Sequence, residues 1–418
     1  MRVTTNMMFE KQLKYLQNQS TALSEASDQY NTGYKFTTAG EDPAGMSTKI
    51  KYTSDISQYE QYSVNAGSAY DSLSEAETAL SSMYDILQSI ESCLIQAVNG
   101  TMDTSSLTAL AEEIEQYQIQ LFDLMNTQNA EGEYIFSGAE ADTPAISITT
   151  DGNYVCDADG STRSVQVSPN VTVQVTESAL NIFQNCSLAY SCSLNETNST
   201  YDLTTIESWE ISDYDDFNSL FEDLYSSADD ATTNYITIEI TASTDIENEE
   251  PRTFVVYDAY GNVIDQGEIT EDGELTFQGI TLNVGTDLDL EGTIQLDLDD
   301  PEKDNILNVL NDVIAALTDE TLTEQERGKI LAAAQISVQN AMEQYDSYRG
   351  KIGARANTVE SMLDTNDALS LIKQESLAQI TEVDTYEAIS DMVQIQYALQ
   401  AAQQTYMYVM GTSLFDYI

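Results

Sequence analysis

Residues 73–97 read Leu73-Ser-Glu-Ala76-Glu-Thr-Ala-Leu80-Ser-Ser-Met83-Tyr-Asp-Ile-Leu87-Gln-Ser-Ile90-Glu-Ser-Cys-Leu94-Ile-Gln-Ala97. Leu73, Leu80, Leu87 and Leu94 recur every seven residues, and so do Ala76, Met83, Ile90 and Ala97. This 3/4 spacing predicts one long helix packed in the manner of a coiled coil. A helix from near Gly45 to Asn99-Gly100 would run roughly 80 Å at about 1.5 Å per residue. Asn-Gly is a good stop, because both residues tolerate the left-handed conformation that ends a helix. The spacing resumes at Leu107, Leu110, Ile114, Tyr117, Leu121 and Leu124, which predicts an antiparallel helical hairpin.

The same pattern returns towards the other end, through Leu331, Ala334, Val338, Ala341, Tyr345, Tyr348, Ile352, Val359, Met362 and Leu369. Arg355 and Asn366 interrupt it, as polar seam positions do when they set register. A last segment, about Gln374 to Met410, carries Leu377, Ile380, Val383, Ile389, Val393, Tyr397 and Leu399, and the N-terminal one carries Phe9, Leu13, Leu16, Leu23 and Tyr30. Each end thus has an apolar stripe and no partner beside it in the sequence. We expect both to stay unpaired until they dock in an assembly. Leu13, Leu16, Leu23, Ile380, Val383, Ile389, Val393 and Leu399 are the candidate interface.

Between about Thr143 and Asp300 the pattern changes to period-two runs of Thr, Val, Ile and Tyr, with turns at Asp151-Gly152, Asp159-Gly160, Gly261-Asn262, Asp272-Gly273 and Glu291-Gly292. These are strand and hairpin signals. Glu207 to Ser227, with Phe217, Leu220, Phe221 and Leu224, predicts a helix among them. The fold class is therefore α+β, a long coiled-coil-like helical rod built from both chain ends with a β-rich domain inserted in the middle. Residues 1–44 with 375–418 form the terminal helices, 45–142 with 303–374 the rod, and 143–302 the insertion, which reads as separable.

Charge divides the chain in the same way. Residues 1–52 are net +1 and residues 303–418 net −10, whereas residues 53–302 hold only Arg163 and Arg252 against 49 carboxylates. A net charge of −56 argues against nucleic acid and anionic membrane as partners;. The chain has no histidine, which removes Ser-His-Asp and Cys-His catalysis and the HExxH zinc sites;. The start, Met1-Arg-Val-Thr-Thr-Asn-Met-Met-Phe, has no secretory pattern, and no uncharged apolar stretch is long enough to predict a membrane span.

The remaining chemical motifs are weak. Asp287-Leu-Asp-Leu-Glu and Asp297-Leu-Asp-Asp resemble calcium clusters, but the leucine alternation reads as a strand with one wet face. Ser370-Leu-Ile-Lys373 has the Ser-x-x-Lys spacing of some acyl-transfer enzymes without their companion motifs. Cys186 and Cys192, six apart, allow a disulfide, against inert thiols as the default;. We expect no catalytic residue, no metal and no cofactor.

Several short motifs occur in an order that resembles the flagellin superfamily. Asn31-Thr-Gly33 with Glu41-Asp42-Pro43-Ala-Gly45 resembles its N-terminal segment, and Gln96-Ala-Val-Asn99-Gly100-Thr101 its inter-helix turn. Gly353-Ala354, Ile380-Thr-Glu-Val-Asp384 and the Gln394–Ala402 stretch resemble its C-terminal helices. Gly132-Glu-Tyr134-Ile135-Phe136-Ser-Gly138 is similar to a segment of the branch that joins the flagellar hook to its filament. The resemblance implies a secreted, extracellular structural subunit of the bacterial flagellum. It implies as partners hook-associated protein 1, flagellin, further copies of the chain, an export chaperone and the type III export apparatus. A divergent flagellin of the filament is the alternative. A hydrolase-bearing flagellin and an acidic adhesin are the readings from other classes.

Overall fold

A computed structural model of the chain describes residues 5–98, 102–227, 233–242 and 251–411. Seven α-helices are found among them: α1 (Thr5–Thr32), α2 (Pro43–Val98), α3 (Thr104–Met125), α4 (Tyr214–Leu224), α5 (Ile306–Thr318), α6 (Glu324–Thr381) and α7 (Thr385–Gly411). The chain divides into two compact units, one of residues 1–68, 166–172 and 358–418, the other of residues 69–165 and 173–357.

Local chemistry sets the helix ends. Asp42 takes the N–H groups of Ala44 (3.1 Å) and Gly45 (2.9 Å), and Pro43 opens α2, where a missing N–H costs nothing;. Asp103 caps α3 by accepting the Ser106 N–H (3.1 Å), and Asn305 caps α5 through Leu307 (3.0 Å). Thr323 and Glu326 form a reciprocal capping box at α6. The Glu326 carboxylate accepts the Thr323 N–H (2.9 Å), and the Thr323 hydroxyl accepts the Glu326 N–H (3.2 Å);.

In the second unit the heptad residues of α2, Leu73, Leu80, Met83, Leu87, Ile90 and Leu94, are fully buried, as are Ile114 and Leu121 of α3 and Val338, Tyr345 and Ile352 of α6. The hydrophobic side of α5 packs on α3. Between them Gln118 is buried, and its Nε2 donates to the Leu307 carbonyl and to Asn311 Oδ1, both at 2.8 Å. A buried amide survives there because its donors are satisfied.

The β-rich region carries a five-stranded antiparallel sheet in the order Val263–Glu268, Thr253–Asp258, Tyr235–Thr241, Gly292–Leu298, Cys192–Leu194. A three-stranded sheet follows the order Glu274–Phe277, Ile280–Asn283, Ser208–Ile211. Period two is strict in Gly292–Leu298, where Ile294, Leu296 and Leu298 face the core and Asp297 accepts from Asn195 (2.6 Å) and Gln295 (2.7 Å) on the other face. Among the described residues, the buried core of these sheets and α4 runs from Cys192 to Leu298, with Tyr190 packed against it. Residues around Phe183 pack differently. Phe183 meets Phe136 edge-to-face at 5.2 Å and Tyr345 of α6 at 5.4 Å.

Four sequence expectations change. Glu207 to Ser227 is not one helix, since Ser208–Ile211 is a strand and α4 spans Tyr214–Leu224. The ends are not without a partner, since α1 packs along α7 and Phe9 meets Tyr406 at 5.5 Å. The segment 374–410 is not continuous, since α6 ends at Thr381 and α7 starts at Thr385 after an Asp384 cap. Asp287-Leu-Asp-Leu is a turn rather than a strand, with Asp287 accepting the Asp289 N–H (3.1 Å); Gly285, at φ +75°, has already bent the chain.

Candidate assembly surface

α1 stops at Gly33, whose φ of +74° and bond to the Gln29 carbonyl (2.8 Å) turn the chain out of the helix;. Tyr34 then pairs antiparallel with Glu382. The Val383 N–H donates to Gly33 (2.9 Å) and the Lys35 N–H to Thr381 (2.7 Å), so the two inter-helix connections are stitched backbone to backbone. The following loop is closed by Glu41, which accepts from the Thr37 N–H (2.7 Å) and the Thr38 hydroxyl (2.9 Å). These bonds hold its carboxyl below the usual range. Phe36 is buried against Gly45, where a Cβ would lie 2.7 Å from the ring. Asp42, Pro43 and Gly33 are thus the residues that shape this turn.

From this stitch α1 and α7 run antiparallel, with Ala26, Ala388 and Ala402 buried and Leu16, Leu23 and Leu399 half-buried. The other side of each helix is open and carries large apolar residues, on α1 among exposed charged ones such as Glu10, Lys11 and Lys14. Tyr386 is 87% exposed, Tyr397 68%, Tyr408 76% and Met407 70%, with Ile389 and Val393 beside them, and α1 adds Met7, Met8, Leu13 and Tyr15. From Val393 to the end of α7 no residue is charged. Uncharged flanks such as Gln396, Gln400 and Gln404 let a surface of this kind meet another copy without the repulsion of a −56 chain;.

The structure separates the eight candidate interface residues. Leu13, Ile389 and Val393 lie on exposed surface, Leu16, Leu23 and Leu399 are half-buried on the helix pair, Ile380 is half-buried on α6, and Val383 lies in the connecting turn. Tyr386, Met407 and Tyr408 were missed by the sequence reading. Their 3/4 spacing from Ile389 and Val393 was the available signal, but tyrosine and methionine occur equally on wet and dry faces.

Other motif residues lie in the second unit. Tyr134 bridges to Gln128, Ile135 and Phe136 are buried, and the Phe136 carbonyl accepts the Ala179 N–H (2.7 Å). Gly138 has φ +80°, and a Cβ there would strike Asp159, whose carboxylate accepts the Ala139 N–H (2.8 Å). Asn99 and Gly100 lie outside the described residues. The two polar seam positions have partners as well. Arg355 pairs with the buried Glu177, and Asn366 Nδ2 donates to the Val167 carbonyl (2.8 Å).

The catalytic candidates have structural partners. Lys373 pairs with Asp55 (3.0 Å), a bond that raises its pKa, and Ser370 is buried. All four cysteines are free thiols, and burial pushes Cys186 and Cys192 up to about 12. Among the described residues no cluster of three acidic or thiol ligands could hold a metal. No helix among them is long and apolar enough to cross a membrane.

Comparison with known proteins agrees with this arrangement. Residues 3–141 match the bacterial flagellin N-terminal helical region and residues 336–411 the C-terminal helical region, together just over half of the chain. The chain belongs to the flagellin superfamily. Within it, flagellar hook-associated protein 3 of Escherichia coli K12 is 27% identical over 173 residues, 41% of this chain and 54% of that protein. A flagellin of Clostridium tyrobutyricum is 25% identical over 185 residues, 42% of this chain and 49% of that one. This superfamily member thus spans about half the length of the curated relatives it matches. The crystal structure of flagellar hook-associated protein 3 from Legionella pneumophila superposes with a TM-score of 0.58 at 19% identity, covering 79% of this chain and 98% of that one, a likeness of fold.

Proposed function

We propose that this chain is a structural, non-catalytic subunit of the bacterial flagellum that joins the hook-associated zone to the flagellin filament. The observation that carries the reading is the open apolar face of the α1–α7 pair, a patch that a lone soluble chain rarely leaves in water;. Residues 1–44 and 375–418 make the assembly contacts, among them Leu13, Leu16, Leu23, Ile380, Val383, Ile389, Val393 and Leu399. Residues 45–142 with 303–374 supply the helical body, and 143–302 the β-rich insertion.

The partners of this reading are hook-associated protein 1 on the hook side, flagellin on the filament side and copies of the chain laterally. The chain reaches the outside of the cell through the type III apparatus, with an export chaperone. Relatives named hook-associated protein 3 support the junction over the filament itself. Immunogold labelling of intact flagella separates the two. A band confined to the hook end is expected, and label along the whole filament would make the chain a flagellin.

A further inference from the structure

A cleft of about 630 Å³ opens in the second unit between α4, the segment 181–190 and α6. Its lining is almost wholly polar. On its floor the Asn340 and Gln344 amide nitrogens are spent on backbone carbonyls, Asn340 on Ser187 (3.2 Å) and Gln344 on Asn181 (2.7 Å). Their carbonyl oxygens therefore remain to accept. Asn218 Oδ1 also lines the cleft, is buried and has no hydrogen-bond partner among the described residues. These three amides present acceptor oxygens, while Ser187, Tyr190, Ser347 and Tyr348 bring hydroxyls that donate as well as accept, a lining suited to hydroxyl-bearing ligands;.

The walls add two features. Tyr190 is stacked on Phe221 at 4.2 Å and 7°, so one ring face is backed by the core and the ring borders the cleft. Lys303 and Lys351 stand on the exposed rim, and neither makes an ion pair among the described residues. Glu222 and Glu343 stand on the same rim, so the mouth is neutral within a strongly acidic chain.

We infer that this cleft is a binding site for a neutral saccharide of one or two rings. The amide oxygens and carboxylates accept sugar hydroxyl protons, the lysines donate to ring and hydroxyl oxygens, and Tyr190 offers a flat face to the C–H side of a pyranose. A volume of this size lies within the usual range for small-ligand sites. A peptide occupant would need an apolar pocket for its anchoring side chains, and the lining supplies none. The inference does not rest on the assembly role.

The test is saturation-transfer NMR and titration calorimetry on the full chain with chitobiose, cellobiose, maltose and lactose. Saturable binding of at least one disaccharide is expected, weakened at least about tenfold by Tyr190→Ala and by Lys351→Gln, with the thermal midpoint kept. Should Tyr190→Ala fail to fold, the rim substitution carries the test alone. No saturable binding by any of the four overturns the site, as does binding that Lys351→Gln leaves unchanged. Self-association without sugar binding, abolished by Lys351→Gln, overturns it in favour of a second copy.

Discussion

Asp299 and Ser191 close the neck of the β insertion. The Asp299 N–H donates to the Ser191 carbonyl at 3.1 Å, and the Ser191 hydroxyl donates to the Asp299 carboxylate at 2.8 Å. Everything in the buried core of the sheets lies between these two positions. Replacing residues 192–298 by a short Gly-Ser link should therefore leave the helices with their cooperative melt. A longer deletion from 145 to 300 removes Ile182 and Phe183 as well and should melt far lower. Circular dichroism melts of both deletions decide this; equal losses would show that the neck is not the boundary.

Phe183 is the aromatic hinge between the Tyr134–Gly138 motif and α6, fully buried between Phe136 and Tyr345. Phe183→Ala should cost about 3–5 kcal/mol, transfer and cavity together. Urea unfolding followed by circular dichroism measures it. A loss below about 1 kcal/mol would mean that the site collapses onto the cavity.

Arg355 reaches the carboxylate of Glu177, whose side chain is only 7% exposed. Arg355→Met strands that carboxylate and should destabilise by roughly 2–4 kcal/mol, at or below the range for a fully buried pair because the arginine is partly wet. Adding Glu177→Met should restore most of the loss. A double variant no better than the single one would place the effect in packing of the arginine stem.

The chain has no histidine, the side chain that ordinarily titrates near neutrality, and burial raises all four thiols;. Stability should be flat between about pH 6 and 8. Asp103, Asp159, Asp319 and Glu326 are all held low, the first three mainly by side-chain hydrogen bonds from Ser106, Ser161 and Thr321, Glu326 mainly by the Thr323 N–H. Their contribution is complete above the unfolded carboxylate values of about 3.9–4.3 and is lost as pH falls through the depressed folded values. Melts across pH check both parts; a step between pH 6 and 7 would contradict the first.

The sequence made the helices legible where local chemistry acts. The leucine heptads define the buried side of α2 as expected, and its start, expected near Gly45, lies at Pro43 behind the Asp42 cap. It did not show which stripe meets which, because α1 and α7 lie at opposite ends of the chain and spacing reveals a face without its neighbour. It also blurred the insertion. Strand alternation begins at Ile146, yet only packing shows that residues around Phe183 lie with the helices, while Tyr190 already packs on the core that starts at Cys192. At the candidate surface, Val393 was legible as apolar, but Tyr386 and Tyr408 were ambiguous until α1 was seen to cover the opposite side.

In the proposed function the open side of α7 is reserved for neighbouring subunits. Val393 is 37% exposed, so Val393→Asp should change the melting of the isolated chain by no more than about 0.5 kcal/mol;. In the assembly the same carboxylate would be buried without a partner, at a cost of several kcal/mol on the order of 3–5. The measurement is swimming and secreted flagellin in a strain carrying only this variant. A normally folded protein, absent from the hook end, with flagellin released into the medium, is expected. Normal swimming, with the variant present at the hook end, would contradict it.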